Sequence, residues 1–170
     1  MNMSVRYIFM FIVLVLLQVL LLNNICFLGF INPYLYVYFI LVLPSSLNKD
    51  LTLLLGFLLG LVIDIFCGTL GCHAFATTAL AYLKPYFQKI FGPREVYESV
   101  VPSMSSYGMK MFLQYVAYLV FIHHFIFFLI EAFTVANIGH TILYSFLCSI
   151  FTILLIFLVE KLSGKSTYRE

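Results

Sequence analysis

Histidine and acidic side chains are the residues of this sequence whose chemistry suits metal binding. The candidates are His73, His123, His124, His140, Asp64 and Glu131. Imidazole nitrogens and carboxylate oxygens are common ligands of zinc. However, no two histidines have the H-x-x-x-H spacing of a helical metal site. The adjacent pair His123 and His124 would point about 100° apart on a helix, so the two rings would not share a face. The spacing therefore argues against a metal site, and we expect no metal and no other cofactor. Because all six residues fall in the outer half of the topology predicted below, we expect them to form a polar, hydrated outer mouth.

Serine and cysteine are the other candidates for chemistry, as nucleophiles. The serines at 103, 105 and 106 have no histidine in the same predicted loop, so a Ser–His pair would lack its base. The cysteines show no CxxC spacing, which argues against zinc-ribbon and thioredoxin-like motifs. A Cys67–Cys72 disulfide is one alternative, and free thiols that act as small apolar residues are the preferred one. We expect no catalytic residues and no enzyme activity.

Asp64 lies in the apolar stretch "LLLGFLLGLVIDIFCGTLG", where small residues recur at every fourth position. On a helix, Gly56, Gly60, Asp64 and Gly68 would drift by only about 40° per step and would share a face. Glycine on that face lets another helix approach to backbone distance, so we expect Asp64 to meet hydrogen-bond donors in a helix–helix contact. Two alternatives remain: the carboxylate reaches headgroups or water near a helix end, or it belongs to a substrate or proton site.

The composition is that of an integral membrane protein. Of 170 residues, 64% are hydrophobic and 9% are charged, with a mean hydropathy of +1.09, whereas a soluble domain has about 25% charged residues. We predict a single all-α membrane domain over 1–170, with a cytoplasmic loop at 87–108 and a cytoplasmic tail at 160–170. Pro85 is expected to end or kink the fourth segment and to leave a short interfacial helix after it. The six predicted membrane segments are 7–27, 33–47, 51–67, 72–86, 109–130 and 138–159.

The basic residues set the expected orientation. If the N-terminus is inside, all nine Lys and Arg residues fall on the cytoplasmic side, as the positive-inside rule requires. The predicted outer loops at 23–32, 68–71 and 131–137 contain none. Both termini are therefore expected in the cytoplasm, and no basic tract suits a nucleic-acid groove. Because tryptophan is absent, tyrosine should mark the interfaces, with Tyr82 at the inner surface and Tyr34 at the outer.

The stretches "NPYLYVYFILVLP" and "GFLLGLVIDIFCGTLGCHAFATTALAYLKP" resemble the rod shape-determining protein MreD family. The resemblance covers roughly residues 1–160 and is strongest from 33 to 103. The segment "PREVYESVVPSM" is similar to a loop that some members carry between their fourth and fifth helices. The positions that match the family are Pro33, Pro44, Gly56, Phe57, Gly60, Leu61, Asp64, Gly71, His73, Ala74, Tyr82 and Pro85. Gly68 is a further candidate for helix packing.

The resemblance implies a non-catalytic, multi-pass protein of the bacterial inner membrane that helps to organise peptidoglycan synthesis during cell elongation. MreD-family proteins work with the bitopic membrane protein MreC, with MreB filaments, and with peptidoglycan polymerases and crosslinking enzymes. Their fold is likened to the six-helix S components of energy-coupling-factor vitamin transporters, so a substrate-binding transporter subunit is the alternative function. Against that alternative, the first helix has no alanine for the Ala-x-x-x-Ala face that S components commonly use. The outer loops also lack an evident set of polar groups that could fix a ligand.

Overall fold

The computed structural model describes residues 3–25, 32–93, 100–133 and 136–164, and every regular element in these ranges is helical. Among the described helices, four are long and apolar enough to cross a membrane: Val5–Asn24, Lys49–Cys67, Met109–Ala132 and Ile138–Ser163. This architecture is compatible with a multi-pass membrane protein. The α-helices are α1 (Met3–Leu20), α2 (Tyr38–Leu41), α3 (Lys49–Cys67), α4 (Cys72–Phe91), α5 (Met104–Tyr107), α6 (Met109–Ala132) and α7 (Ile138–Gly164), with 3₁₀ turns at Leu22–Asn24 and Leu35–Val37.

Ring contacts show that α4 and α6 run in opposite directions. Near the start of α4, the imidazole of His73 stacks on Phe127 with ring centres 4.3 Å apart. At the end of α4, Phe91 stacks on Tyr118 with ring centres 5.6 Å apart. Position along α6 therefore falls as position along α4 rises. The short turn 68–71 joins α3 to α4, and these two helices are antiparallel as well.

The directions of α7 and α1 follow from two further sets of contacts. His124 Nε2 on α6 lies 3.2 Å from Thr152 Oγ1 on α7, and Phe128 meets Tyr144, so α6 and α7 are antiparallel. The amide of Asn23, just past α1, contacts the sulfur at the end of α3 at 3.0 Å. Consequently α1, α3 and α6 begin at the end of the bundle where α4 and α7 finish.

This end of the bundle carries the described basic residues and is termed the basic end; the other is termed the opposite end. The segregation arises because basic residues occur early in α1, α3 and α6 but late in α4 and α7. Asp64 and His73 lie toward the opposite end, where α3 finishes and α4 begins. The described basic residues are Arg6, Lys49, Lys84, Lys89, Lys110 and Lys161.

The segment 33–47 differs from the continuous helix that its sequence predicts. Its helical parts are only the 3₁₀ turn Leu35–Val37 and α2, after which the chain turns at Val42 toward Pro44. Every side chain from residue 34 to residue 43 is buried. Irregular backbone is tolerated at membrane depth where protein surrounds it, and this segment is surrounded. The enclosure therefore explains how it remains stable without a full-length helix.

The segment 33–47 nevertheless passes through the interior from one end of the bundle to the other. Near the opposite end, the Pro33 carbonyl oxygen accepts a hydrogen bond from Gln18 Nε2 at 3.1 Å. Near the basic end, the Leu43 carbonyl oxygen accepts one from Lys84 Nζ at 2.7 Å. Side chains thus satisfy carbonyl groups that a regular helix would have paired internally.

Helix α4 corrects the expectation for Pro85. It continues through Pro85 to Phe91, so no separate interfacial helix begins after the proline. Proline removes one backbone donor from a helix, and membrane helices tolerate this where neighbours satisfy the freed groups. The loop predicted at 87–108 is correspondingly shorter, because α4 takes its first residues and α5 forms near its end; residues 94–99 lie outside the described ranges.

The remaining boundaries differ from the predicted ones at helix ends. α1 gives way to a 3₁₀ turn after Leu20, whereas the predicted segment extends to residue 27. α3 begins at Lys49 against a predicted 51, and α6 ends at Ala132 against a predicted 130. α7 continues to Gly164, so the described part of the predicted tail is helical.

Candidate functional site

The first two glycines of α3 lie directly against α4. A Cβ atom added to Gly56 would come within 3.0 Å of the Thr77 carbonyl oxygen and of Ala81 Cβ. A Cβ atom added to Gly60 would overlap the Ala74 backbone and the Thr77 hydroxyl. Gly60 therefore has no room for a side chain, and at Gly56 the neighbours would have to shift. This close approach is the packing mode that small residues allow between membrane helices.

Asp64 lies one turn beyond Gly60 and receives its donors from the start of α4 and from the turn before it. Its Oδ1 accepts from the Thr69 hydroxyl and from the His73 backbone N–H at 3.0 Å, while its Oδ2 accepts from the Ala74 backbone N–H at 2.8 Å. The first N–H groups of a helix have no partner within it, and the helix dipole favours a negative charge there. Asp64, only 4% exposed, therefore caps α4 from the neighbouring helix.

Two glycines make the turn that returns α4 over Asp64. Gly68 ends α3 with φ 69°, and Gly71 precedes α4 with φ 86°. Glycine adopts this left-handed conformation with little strain. Gly68 thus belongs to the turn, and nothing lies within 4 Å of a Cβ atom placed on it. The face that the four-residue spacing predicts is formed by Gly56, Gly60 and Asp64 without Gly68.

Aromatic and imidazole rings fill the interior beside this cap. At their centre is Tyr34, whose ring centre lies 5.4 Å from that of His73, 5.1 Å from that of His124 and 5.1 Å from that of Phe127. Tyr34 is buried, so the expectation that it marks the outer surface is wrong; the enclosed segment 33–47 carries it inside. This group is termed the histidine cluster and consists of Tyr34, Tyr36, His73, His123, His124 and Phe127.

Hydrogen bonds orient two histidines of the cluster. His124 Nδ1 lies 2.8 Å from the Val120 carbonyl oxygen, and because a carbonyl only accepts, Nδ1 must carry the proton. His124 Nε2 lies 3.2 Å from Thr152 Oγ1, and the Thr152 hydroxyl donates to the Cys148 carbonyl oxygen at 2.9 Å. The Tyr36 hydroxyl lies 3.1 Å from His123 Nε2. Within the described residues, His73 Nδ1 and His123 Nδ1 are buried without a hydrogen-bond partner.

The structure brings together only part of the predicted polar set. His73, His123 and His124 meet in the histidine cluster, whereas Glu131 and His140 are exposed. In the part of the chain that the structure describes, no three His, Cys, Asp or Glu side chains are arranged to hold a metal ion. Both oxygens of Asp64 are already occupied by donors of α4 and its turn.

The cysteines are free thiols where they are described. Cys67 is exposed, whereas Cys72 and Cys148 are buried, so the alternative of a Cys67–Cys72 disulfide is not what the structure contains. Cys26 lies outside the described residues. Burial of two of the thiols fits their interpretation as small apolar side chains.

The remaining sequence-predicted positions lie in two places. Pro33 contributes the carbonyl that Gln18 contacts near the opposite end. Pro44, Tyr82 and Pro85 line a cavity of about 310 Å³ at the basic end. Tyr82 is 57% exposed, with its ring centre 5.8 Å from that of Tyr86.

Sequence reasoning did not single out three polar residues that the structure buries. Gln18 donates to the Pro33 carbonyl at the start of the enclosed segment, and Lys84 donates to the Leu43 carbonyl toward its other end. Glu160 Oε1 accepts from the Tyr38 hydroxyl at 2.5 Å. Each is a polar residue within an apolar helix. For Lys84 the available signal was spacing, since it lies on the same α4 face as the buried Thr77 and Leu80.

Comparison with protein-family models, with curated proteins and with solved structures gave no match to this chain.

Proposed function

We propose that this protein is a non-catalytic, multi-pass membrane subunit of the bacterial cell-elongation machinery, resembling the MreD family. In this proposal it binds an MreC-like bitopic partner and helps to organise lateral-wall peptidoglycan synthesis. MreB-like filaments and peptidoglycan polymerases and crosslinking enzymes are the proposed further partners. The proposed location is the inner membrane.

One observation carries the proposal: the motif residues hold helices together. Gly56 and Gly60 allow α4 to approach α3, and the Asp64 carboxylate accepts the first N–H groups of α4. His73 supplies one of those N–H groups, and its ring stacks on α6. These roles build a rigid helical surface, which is the property that a helix-binding subunit needs, because close packing drives association of helices within a bilayer.

The exterior supports a role in binding membrane helices. α1 is the least buried of the four long apolar helices, with 22% of its apolar window buried. Its exposed side chains include Ile8, Phe9 and Leu16. Such a surface faces lipid or another helix, so α1 offers the least covered of the four long apolar helices to a single-helix partner.

We also propose six membrane crossings with both termini in the cytoplasm. The enclosed segment 33–47 and α4 supply the two crossings beyond the four long apolar helices. The alternating directions of the helices support this count, and the collection of described basic residues at one end supports the orientation through the positive-inside rule.

The packed interior weighs against the alternative of a vitamin-type transporter subunit. Small-molecule sites are concave and combine apolar walls with a few converging polar groups. In the proposed orientation, a substrate from outside the cell would enter near the opposite end. There the rings of Tyr34, His73 and Phe127 are in mutual contact. These contacts fill this part of the described interior with side chains.

Photocrosslinking in growing cells tests the proposal. A photoreactive amino acid would replace Ile8, Phe9 or Leu16 on the exposed face of α1, with the buried Val15 as the matched control. We expect an adduct with the MreC-like protein from at least one exposed position and none from Val15. Depletion of the protein should also cause cells to lose rod shape.

A contrary result has a defined form. If exposed positions on α1, α3 and α4 all give no adduct with an MreC-like protein, while the purified protein binds or transports a radiolabelled vitamin, the transporter function replaces this proposal. Normal rod shape after complete depletion would also contradict it.

A further inference from the structure

A cavity of about 310 Å³ lies at the basic end, between the start of α3 and the second half of α4. One wall comes from the turn before α3 and from its first residues, and the other from one face of α4. None of the interactions that support the proposed function uses this cavity. Its polar and aromatic lining includes Ser45, Lys49, Asp50, Tyr82, Lys84 and Tyr86.

Lys84 is the unusual member of this lining, because its side chain is 2% exposed. Its Nζ donates to the Leu43 carbonyl oxygen at 2.7 Å, its single partner among the described residues. An ammonium group has three donors, so two remain for other acceptors. A buried charge inside a membrane protein is costly and usually marks a functional site.

Two further features make the cavity attractive to an anion. The positive end of the α3 dipole forms part of the wall, since Lys49 and Asp50 are its first residues, and backbone N–H groups at a helix start favour negative charge. The Lys49 ammonium adds a second cation. Asp50 supplies one opposing carboxylate, so two lysines face one acidic side chain.

Two tyrosines on the exposed face of α4 border the cavity. Tyr82 and Tyr86 are 57% and 51% exposed, and both line the cavity. Tyrosine is enriched at the level of lipid headgroups, where its ring is in an apolar region and its hydroxyl is wet. The cavity therefore combines buried positive charge with an interfacial aromatic border.

We propose that this cavity binds a phosphate group, with the Lys84 ammonium as its main ligand and Lys49 as the second. Lys84 is held in place by the Leu43 carbonyl and directs its remaining donors to the phosphate oxygens. An anionic phospholipid and a soluble phosphate compound present the same chemistry to these lysines. The two ligands differ in their apolar parts, because only the lipid has acyl chains, which would extend into the bilayer beside Tyr82 and Tyr86.

Binding measurements on the purified full-length protein separate the sources. Native mass spectrometry in a neutral detergent would follow titration with phosphatidylglycerol, with zwitterionic phosphatidylcholine, and with inorganic phosphate as competitor. We expect phosphatidylglycerol to bind at least about tenfold more tightly than phosphatidylcholine, given the strength of charge-assisted hydrogen bonds. Binding of inorganic phosphate without preference for the anionic lipid would identify a soluble ligand.

Three variants assign the binding to the cavity. Lys84→Met should weaken phosphatidylglycerol binding at least about tenfold, and Lys49→Gln, at an exposed position, about fivefold. Lys89→Gln is the matched control, because Lys89 is exposed on the same helix but does not line the cavity. Its affinity should stay within about twofold of that of the unmodified protein.

The Lys49→Gln and Lys89→Gln pair keeps the test decisive if Lys84→Met fails to fold after losing its bond to Leu43. Equal weakening by these two variants would show that surface charge alone attracts the lipid, and would overturn the site. Absence of binding by both phosphatidylglycerol and inorganic phosphate to the unmodified protein would overturn it as well. Because no step uses an MreC-like partner, these outcomes are independent of the proposed function.

Discussion

At the scale of single residues, the carboxylate of Asp64 and the start of α4 each offset an unfavourable feature of the other. The start of α4 has N–H groups without helical partners, and the end of α3 has a charge in an apolar surrounding. The contacts to the backbone of His73 and Ala74 satisfy both. The cost of placing a charge in this protein is therefore offset by the donors of the neighbouring helix.

Replacement of Asp64 should destabilise the protein in proportion to the acceptors that are lost. Asp64→Leu removes both oxygens and should lower the free energy of unfolding by about 2–4 kcal/mol, since hydrogen bonds to charged groups contribute about 1.5–3 kcal/mol each. Asp64→Asn keeps one acceptor oxygen and should lie between Asp64→Leu and the unmodified protein. Unfolding in mixed detergent–SDS micelles, followed by circular dichroism, measures the differences.

Thr69→Val provides the graded control for Asp64. It removes only the hydroxyl donor to Oδ1 and leaves the backbone N–H contacts in place, so we expect a loss of about 1 kcal/mol. If Asp64→Leu were as stable as the unmodified protein, the capping role assigned to the carboxylate would be wrong.

At the scale of helices, the glycines of α3 set the distance to α4. Gly60→Ala should destabilise the protein by about 1–3 kcal/mol, because the added methyl group overpacks against the Ala74 backbone. Gly56→Ala should cost less, since its methyl group would meet neighbours at 3.0 Å. The same SDS unfolding assay compares the two variants.

Gly139→Ala is the matched control for the glycine variants. Gly139 lies in the first turn of α7, with nothing within 4 Å of an added Cβ atom, and alanine is the better helix former. We expect unchanged or slightly higher stability. A similar loss for all three glycine variants would show that the assay reports a general effect of alanine and not the α3–α4 contact.

A second element-scale prediction concerns the bond that ties α7 to the enclosed segment. Glu160 accepts from the Tyr38 hydroxyl and, through Oε2, from the Met104 backbone N–H at 3.2 Å. A double-mutant cycle with Tyr38→Phe and Glu160→Gln should give a coupling free energy of about 1–3 kcal/mol. Tyr118→Phe, at an exposed position on α6, should be additive with Glu160→Gln within about 0.5 kcal/mol. If the effects of Tyr38→Phe and Glu160→Gln were additive, Glu160 would not link α7 to the enclosed segment.

The sequence was sufficient for features that depend on local spacing. The four-residue repeat of Gly56, Gly60 and Asp64 predicts a shared face, and that face lies against α4. The same repeat fails at Gly68, because a left-handed residue ends the helix first. Where helix periodicity stops, spacing no longer reports which residues are neighbours.

Features that depend on enclosure could not be read from the sequence. A short apolar run fits a membrane helix or a buried irregular segment equally well, and only the surrounding helices show that 34–43 is buried on all sides. Lys84 looks like an interfacial residue near the end of a segment. Its burial becomes visible only when the Leu43 carbonyl is placed opposite its ammonium group.

At the scale of the whole molecule, the position of the basic residues within each helix matches the direction in which that helix runs. Helices that begin with a basic residue run one way, and those that end with one run the other way, so the described Lys and Arg residues gather at a single end. Such an arrangement has no evident purpose in water, where either end is equally solvated. In a bilayer it selects one orientation, which makes orientation the most direct test of the molecule as a membrane protein.

The last prediction is therefore topological: the basic end faces the cytoplasm. Asn137→Cys lies just before α7 at the opposite end, and Ser105→Cys lies in α5 at the basic end; both positions are exposed. After replacement of the native cysteines, a membrane-impermeant maleimide should label Asn137→Cys in intact cells and label Ser105→Cys only after permeabilisation. The permeabilised sample shows that each thiol is reactive. Labelling of Ser105→Cys but not of Asn137→Cys in intact cells would invert the orientation, and equal labelling of both would contradict the proposed crossings, since these positions would then share the outer side.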